Sequence, residues 1–301
     1  MDLINVDLRF LLAQLYMDSL TTKQSQRQIK RALQDLTQGM KDLDEIYYEA
    51  MERIECQTEE SRQLAKQVLS WVTCARRPLT TLELQHALAV EVGEPELDKD
   101  NLPEIEDMVS VCAGLVVVDG DIIRLAHHTM QDYFERTQIS LFPNAQTYIA
   151  ATCVTYLSFD VFAAGFCLTD EEFEAELQSH PLYDYAARNW GDHARAASTE
   201  MEKPILGLLE SEAKVSAANQ AMLASRGYSG YSQRVPRQTT GVHLAAYFGL
   251  TGVIRALLQN RHNPDVRDTY DRSPLSWAAE NGHEAVVELL LEKGAELESK
   301  D

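Results

Sequence analysis

Apolar residues fall at helical spacing along most of this chain. Leu8, Leu11, Leu12, Leu15 and Tyr16 share one face, and the pattern resumes from Ile29 to Leu36 after a polar break, so helix is expected over much of 7–35. Leu43, Ile46, Tyr47, Ala50, Met51 and Ile54 mark a second amphipathic helix. Leu64, Val68, Trp71 and Val72 mark a third over 61–75. Arg77-Pro78 stops it. Thr80-Thr81-Leu82-Glu83 then has the form of a capping box, with Thr80 taking an early amide and Glu83 reaching back, and the helix it starts carries Leu84, Ala87 and Leu88.

An acidic loop from Glu91 to Asp100 precedes a short helix from about Pro103 to Cys112. The period then changes from helix to strand. Leu115-Val116-Val117-Val118 and Asp121-Ile122-Ile123-Arg124-Leu125 flank Asp119-Gly120, a dipeptide that tolerates the positive φ of a tight hairpin turn. A helix from His128 to Arg136 closes the unit. Three helices and a two-stranded wing describe a winged helix over 59–137, preceded by a helical arm over 1–58.

Residues 138–225 read as all-helical. Ile149, Cys153, Tyr156 and Leu157 form one stripe, and Leu182, Tyr185, Ala186 and Trp190 another. Thr169-Asp170-Glu171-Glu172 is a second capping box. Residues 226–236, opening with Arg226-Gly227-Tyr228-Ser229-Gly230-Tyr231-Ser232, are expected to be a flexible joint.

The chain then repeats itself. Thr240-Gly241-Val242-His243-Leu244-Ala245-Ala246-Tyr247-Phe248-Gly249 aligns with Ser273-Pro274-Leu275-Ser276-Trp277-Ala278-Ala279-Glu280-Asn281-Gly282 at an offset of 33 residues, and Leu257-Leu258 aligns with Leu290-Leu291. This period and opening tetrapeptide resemble the ankyrin repeat, a turn followed by two antiparallel helices. Two such repeats are expected over 237–301. A repeat has an apolar face that only a neighbour can bury. The stack is therefore expected either to continue past Leu291 or to bury Val286, Leu289 and Leu290 against something else. The fold class is mainly α: helical arm, winged helix, helical bundle and ankyrin solenoid.

Charge narrows the partners. The 301 residues carry a net charge of −20, which opposes a nucleic-acid backbone and an anionic membrane surface alike. The third helix of the winged unit carries Glu104, Glu106 and Asp107 and no Lys or Arg, where a DNA reader needs cations. Met1-Asp2-Leu3-Ile4-Asn5-Val6-Asp7 has acids where a signal peptide has bases, and the longest apolar stretch, 108–118, is short of a membrane span. Five cysteines without a C-x-x-C pair fit reduced thiols. A cytoplasmic protein with no cofactor follows.

Several segments resemble the C-terminal portion of fungal STAND-type receptors, which carry a nucleotide-binding NACHT domain and then ankyrin arrays. They are Phe10-Leu11-Leu12-Ala13-Gln14-Leu15, Tyr48-Glu49-Ala50-Met51-Glu52-Arg53-Ile54, Arg77-Pro78-Leu79-Thr80, Val109-Ser110-Val111-Cys112-Ala113-Gly114-Leu115 and Pro181-Leu182-Tyr183-Asp184-Tyr185-Ala186-Ala187-Arg188-Asn189-Trp190. The middle portion is similar to the winged-helix module named after GPI inositol-deacylase. The resemblance implies a regulatory part of an NTP-switched signalling receptor, with a NACHT NTPase module as one partner. No G-x-x-x-x-G-K-[ST] occurs in the sequence, so any phosphate cradle is supplied from elsewhere. A free-standing ankyrin adaptor or scaffold is the alternative.

Catalysis finds no constellation. Gly227-Tyr228-Ser229-Gly230-Tyr231 lacks the last glycine of a nucleophile elbow and follows a helix rather than a strand. His127-His128 has no third metal ligand at useful spacing. His243 is expected to bond the turn backbone of a neighbouring repeat, a lock weakened where Ser276 replaces it. The non-enzymatic reading leaves the ankyrin groove as the binding surface for other proteins. Its candidates are the turn-tip residues Thr269, Tyr270 and Arg272 with Tyr247, Phe248, Glu280 and Asn281 of the first helices. Exposed aromatic and Arg side chains dominate protein-interface energies.

Overall fold

The computed structural model describes residues 25–27, 30, 43–197 and 201–297. The helices expected over 7–36 fall almost wholly outside the described residues. Among these residues the chain forms fourteen α-helices and one small sheet. It divides into two units, one of residues up to 88 with 103–145, the other of 89–102 with 146 onward.

The first unit holds α1 (Leu43–Glu55), α2 (Glu59–Cys74), β1 (Leu79–Thr80), α3 (Thr81–Ala89), α4 (Ile105–Ser110), β2 (Val116–Asp119), β3 (Ile122–Leu125) and α5 (His128–Leu141). α1 buries Ile46, Tyr47, Ala50, Met51 and Ile54, as its spacing predicts. Assigned to the N-terminal arm by sequence, α1 packs on α2 and α5. Tyr47 bonds Thr129 at 2.5 Å, its ring lies 5.4 Å from that of Tyr133, and Asp44 meets the Arg136 fork at 2.9 and 3.1 Å.

The capping box at the start of α3 forms. The Thr80 hydroxyl accepts from the Glu83 amide at 3.1 Å, and the Glu83 carboxylate accepts from the Thr80 amide at 2.8 Å. That carboxylate also receives both arms of the Arg77 guanidinium, at 2.6 and 2.9 Å, so one buried side chain ends the α2–α3 turn and starts the helix. The wing has three strands where two were expected. β1 pairs antiparallel with β3 through Leu79↔Ile123 and Thr80↔Ile122, giving the order β1-β3-β2. The hairpin turn consists of Gly120 and Asp121, with Asp119 paired to Ile122. Positive φ falls on Gly120 at the first turn position (65°) and not on the residue after it, the pattern of a type II′ turn.

The second unit contains α6 (Ala145–Leu157), α7 (Asp170–Ser179), α8 (Tyr183–Ala196), α9 (Glu202–Leu209), α10 (Glu212–Leu223), α11 (Gly241–Tyr247), α12 (Thr251–Gln259), α13 (Pro274–Glu280) and α14 (Glu284–Glu292). α7 begins at Thr169, which accepts from the Glu172 amide at 3.1 Å, while Glu172 takes the amide of Leu168, one residue earlier than a standard box. α8 buries Tyr183, Tyr185, Trp190 and His193; the His193 ring bridges the Tyr185 hydroxyl at 2.8 Å and Gln146 at 2.7 Å.

The segment 226–236 is a bonded link, which corrects the flexible joint expected from its glycines. Asp170 accepts from the amides of Gly230 and Ser232 and from the Ser232 hydroxyl, at 2.6, 3.0 and 2.6 Å. That hydroxyl first, then the amides, holds the Asp170 carboxyl below its ordinary pKa. Glu174 takes Arg226 and the Tyr231 hydroxyl. From α10, buried Gln220 donates to the Ser232 carbonyl at 3.0 Å and Asn219 to that of Pro236 at 2.7 Å. Gly230 supplies the left-handed turn (φ 73°), so the glycine marks a bend and not a loose joint.

Two helix pairs, α11–α12 and α13–α14, follow. Their backbones repeat at the same 33-residue offset as their sequence. Positive φ recurs at Gln238 and Asp271 (58° and 60°), Gly249 and Gly282 (72° and 71°), and Arg261 and Gly294 (66° and 91°). Inner helices α11 and α13 pack together, and α14 packs on α12 and α13. That packing buries Val286, Leu289 and Leu290 at 1, 4 and 0% exposure, so these three need no further cover, contrary to expectation.

Replacing Glu83 by alanine leaves Arg77 and the Thr80 amide without their shared acceptor. The urea midpoint of the first unit, followed by far-UV circular dichroism, is expected to drop by the equivalent of about 2 kcal/mol. A loss below about 0.5 kcal/mol would show that water replaces the carboxylate at no cost.

Candidate partner-binding surface

The site is built on a four-residue turn, Asp268–Asp271, that precedes α13. Asp271 adopts φ 60° and its amide bonds the Asp268 carbonyl at 3.0 Å. Asp268, 4% exposed, organises the turn. One carboxylate oxygen accepts the amides of Tyr270 (2.8 Å) and Arg272 (3.1 Å); the other accepts Arg272 Nε (3.0 Å) and the indole N–H of Trp277 (3.1 Å). Four donors on a buried carboxylate fix both the loop and the guanidinium.

Arg272 is thereby held over aromatic faces. Its guanidinium carbon lies 4.8 Å from the Trp277 ring centre and 5.7 Å from that of Tyr270, and Nη1 stands 3.6 Å from Glu280. Tyr270 is 55% exposed, yet its hydroxyl donates to the Arg234 carbonyl at 2.9 Å, which orients the ring. Thr269 pairs with Arg237 through two bonds, donating its amide to the Arg237 carbonyl (3.0 Å) and accepting the Arg237 amide on Oγ1 (2.8 Å). The two finger turns are thus laced side by side.

His243 ties the repeats from beneath. Its Nδ1 accepts the Thr240 amide at 3.2 Å, so Nε2 carries the proton and donates to the Arg272 carbonyl at 3.1 Å. The turn-locking role expected for this residue is met. Burial, partly opposed by the Arg272 carbonyl, pushes the ring's pKa below 6.5. At the equivalent place in the second repeat, the Ser276 hydroxyl reaches only its own helix, donating to the Ser273 carbonyl at 2.8 Å.

The structure brings Tyr270, Arg272 and Glu280 together around Trp277, with Thr269 at the turn edge. Tyr247 is half-buried, its ring 5.8 Å from that of Trp277, and joins the same group from α11. Asn281 is exposed, but its amide group donates to the Trp277 carbonyl at 2.8 Å as α13 ends. Phe248 is a correction. It is 2% exposed, packed edge-on to Trp190 at 4.9 Å and against Gly191, so it belongs to the core. Sequence reasoning singled out neither the buried Asp268 nor the buried Trp277 for this surface. Their signal was the spacing: an acid four residues before Arg272 and nine before Trp277, at the mouth of a helix.

Elsewhere the histidine pair resolves simply, since His127 Nδ1 accepts the Thr129 amide at 3.2 Å and caps α5. The cysteines are free thiols. Burial raises Cys74 to about 11 and drives Cys112 and Cys153 higher still, while Cys56 is exposed. None of the described helices is long and apolar enough to cross a membrane.

Comparison with known families agrees with these two architectures. Residues 51–144 match the family model of the GPI inositol-deacylase winged-helix domain, and residues 212–301 match that of ankyrin repeats, written for three copies. No solved structure matches the chain. The chain therefore carries a GPI inositol-deacylase-type winged helix followed by ankyrin repeats, and ankyrin repeats are modules of protein–protein interaction. The ankyrin match begins at the start of α10, ahead of the two repeats that share the 33-residue period.

Asp268→Ala strips four donors of their acceptor and is expected to destabilise the chain by about 3 kcal/mol in urea unfolding followed by tryptophan fluorescence. Because the folded His243 pKa lies below 6.5, the neutral ring's contribution is complete above that pH and is lost as pH falls through the folded value. The wild type should lose more stability than His243→Gln between about pH 7.5 and about pH 5. Parallel slopes would show that the ring keeps its bonds when protonated.

Proposed function

We propose that the chain is a non-catalytic regulatory region of an NTP-switched signalling receptor, and that it recognises another protein through the ankyrin face around Tyr270, Arg272 and Glu280. The observation that carries this reading is an exposed aromatic ring, a guanidinium and a carboxylate held on a rigid turn. Such pre-ordered groups lose little freedom when a partner docks, and aromatic and Arg side chains supply much of an interface's energy. The order of a winged helix before ankyrin repeats supports the receptor setting. In that setting a partner on the repeats shifts the population of two packings of the regulatory region against an NTPase module. The module acts in the cytoplasm and binds no cofactor of its own.

Two measurements test this. A partner protein captured by the full chain should bind at least about tenfold more weakly to Tyr270→Ala/Glu280→Lys, whose far-UV spectrum should be that of the wild type. In a receptor containing this region together with an NTPase module, partner binding should change nucleotide affinity, and the same factor should appear in reverse. Independence of the two ligands would overturn the switch, and turnover of an ester panel by the purified chain would overturn the non-catalytic reading.

A further inference from the structure

Two neighbouring cations on this acidic chain lie over aromatic rings. Arg234 and Arg237 are exposed, and among the described residues neither is paired with a carboxylate. Each instead lies over an aromatic face: Arg234 at 4.8 Å from the Tyr228 ring centre, Arg237 at 4.5 Å from that of Phe166, with an N–H donated to Gln233 at 3.2 Å. The neighbouring acids are occupied. Asp170 and Glu174 hold the link, Asp268 holds its turn, and Asp271 faces Arg267 at 3.6 Å.

The backbones of both arginines are fixed. Arg234 receives the Tyr270 hydroxyl on its carbonyl, and Arg237 exchanges two bonds with Thr269. The result is a strip running from Tyr228 (49% exposed) across Arg234 to Tyr270 (55% exposed), with Arg237 beside Thr269. A guanidinium lying over a ring keeps N–H groups at its edge, all of them in Arg234 and all but the one given to Gln233 in Arg237, and such an edge matches a carboxylate through two parallel hydrogen bonds. Flanking tyrosines cover the apolar stems of a bound chain.

We propose that this strip takes an acidic segment of the partner protein, setting two carboxylates against Arg234 and Arg237. The proposal rests on the reading of the repeats as a docking face and names the class of chain that docks. A polyphosphate is disfavoured, because two guanidiniums neutralise only two of its many charges and the net charge of −20 repels the remainder, whereas a short segment with two carboxylates is fully paired. The same field limits the interaction to short range, so specificity comes from the strip itself and not from steering.

Fluorescence anisotropy of the full chain with a labelled short peptide of alternating Glu and Gly tests it. The Glu peptide should saturate at low salt, its Lys-Gly counterpart should not, and Arg234→Glu/Arg237→Glu should weaken the Glu peptide at least about tenfold. Arg234→Gln/Arg237→Gln, which adds no charge, should weaken it in the same direction. The proposal is overturned by no saturable Glu-peptide binding, by affinity unchanged in the reversed variant, or by preference for a labelled oligothymidylate. If it falls while Tyr270→Ala/Glu280→Lys still releases a partner protein, docking on the repeats stands and only the acidic class is lost. If neither variant matters, the docking face falls with it.

Discussion

The apolar flank of an ankyrin repeat must be covered on both sides, and the way the first repeat meets that demand sets much of the second unit. Phe248, at the end of α11, lies beside Trp190 and over Gly191 of α8. A β-carbon on Gly191 would overlap the Phe248 ring, and one on Gly241 would overlap the backbone of Leu209 in α9. Both glycines are needed for close approach. Arg195 adds a bond to the Phe248 carbonyl at 3.2 Å, and His283 bonds the Tyr247 carbonyl at 2.8 Å from the next repeat. The helical layer before the repeats therefore acts as their N-terminal cover.

With that flank sealed, the opposite edge of the repeats is left to the finger turns. There the chain spends its polar groups on rigidity. Asp268 gathers four donors, His243 links the first repeat to the turn of the second, and Thr269 laces that turn to the one before it. Exposed side chains on such a turn are presented in a fixed array, which is what recognition by surface complementarity needs. Stability and presentation come from the same bonds.

Sequence alone reveals what is periodic. The 33-residue offset, the amphipathic stripes of α1 and α8, the hairpin and the Thr80–Glu83 cap are all local patterns with a fixed geometric meaning. What is not local goes unread. β1 is two residues long, too short to show an alternation, and exists only because β3 passes beside it. Phe248 faces inward because α8 lies against it, and nothing within its own repeat says so. Link 226–236 has the glycines of a loose joint, but Asp170, some sixty residues earlier, and Asn219 and Gln220 of the preceding helix hold it. At the docking surface the exposed members were legible as turn residues, whereas the buried Asp268 that positions them was not.

The three recurring left-handed bends carry a last implication for how such an array changes length. Each repeat turns its chain at the same three places, so whole copies inserted or deleted between equivalent bends leave every other bend in phase. A gain of any other length would rotate the following helix pair off its neighbour. Growth by whole duplicated repeats is thus compatible with the backbone itself, and the exposed turn position Tyr270, whose ring is not part of the Asp268 bonds, is where a new copy can diverge.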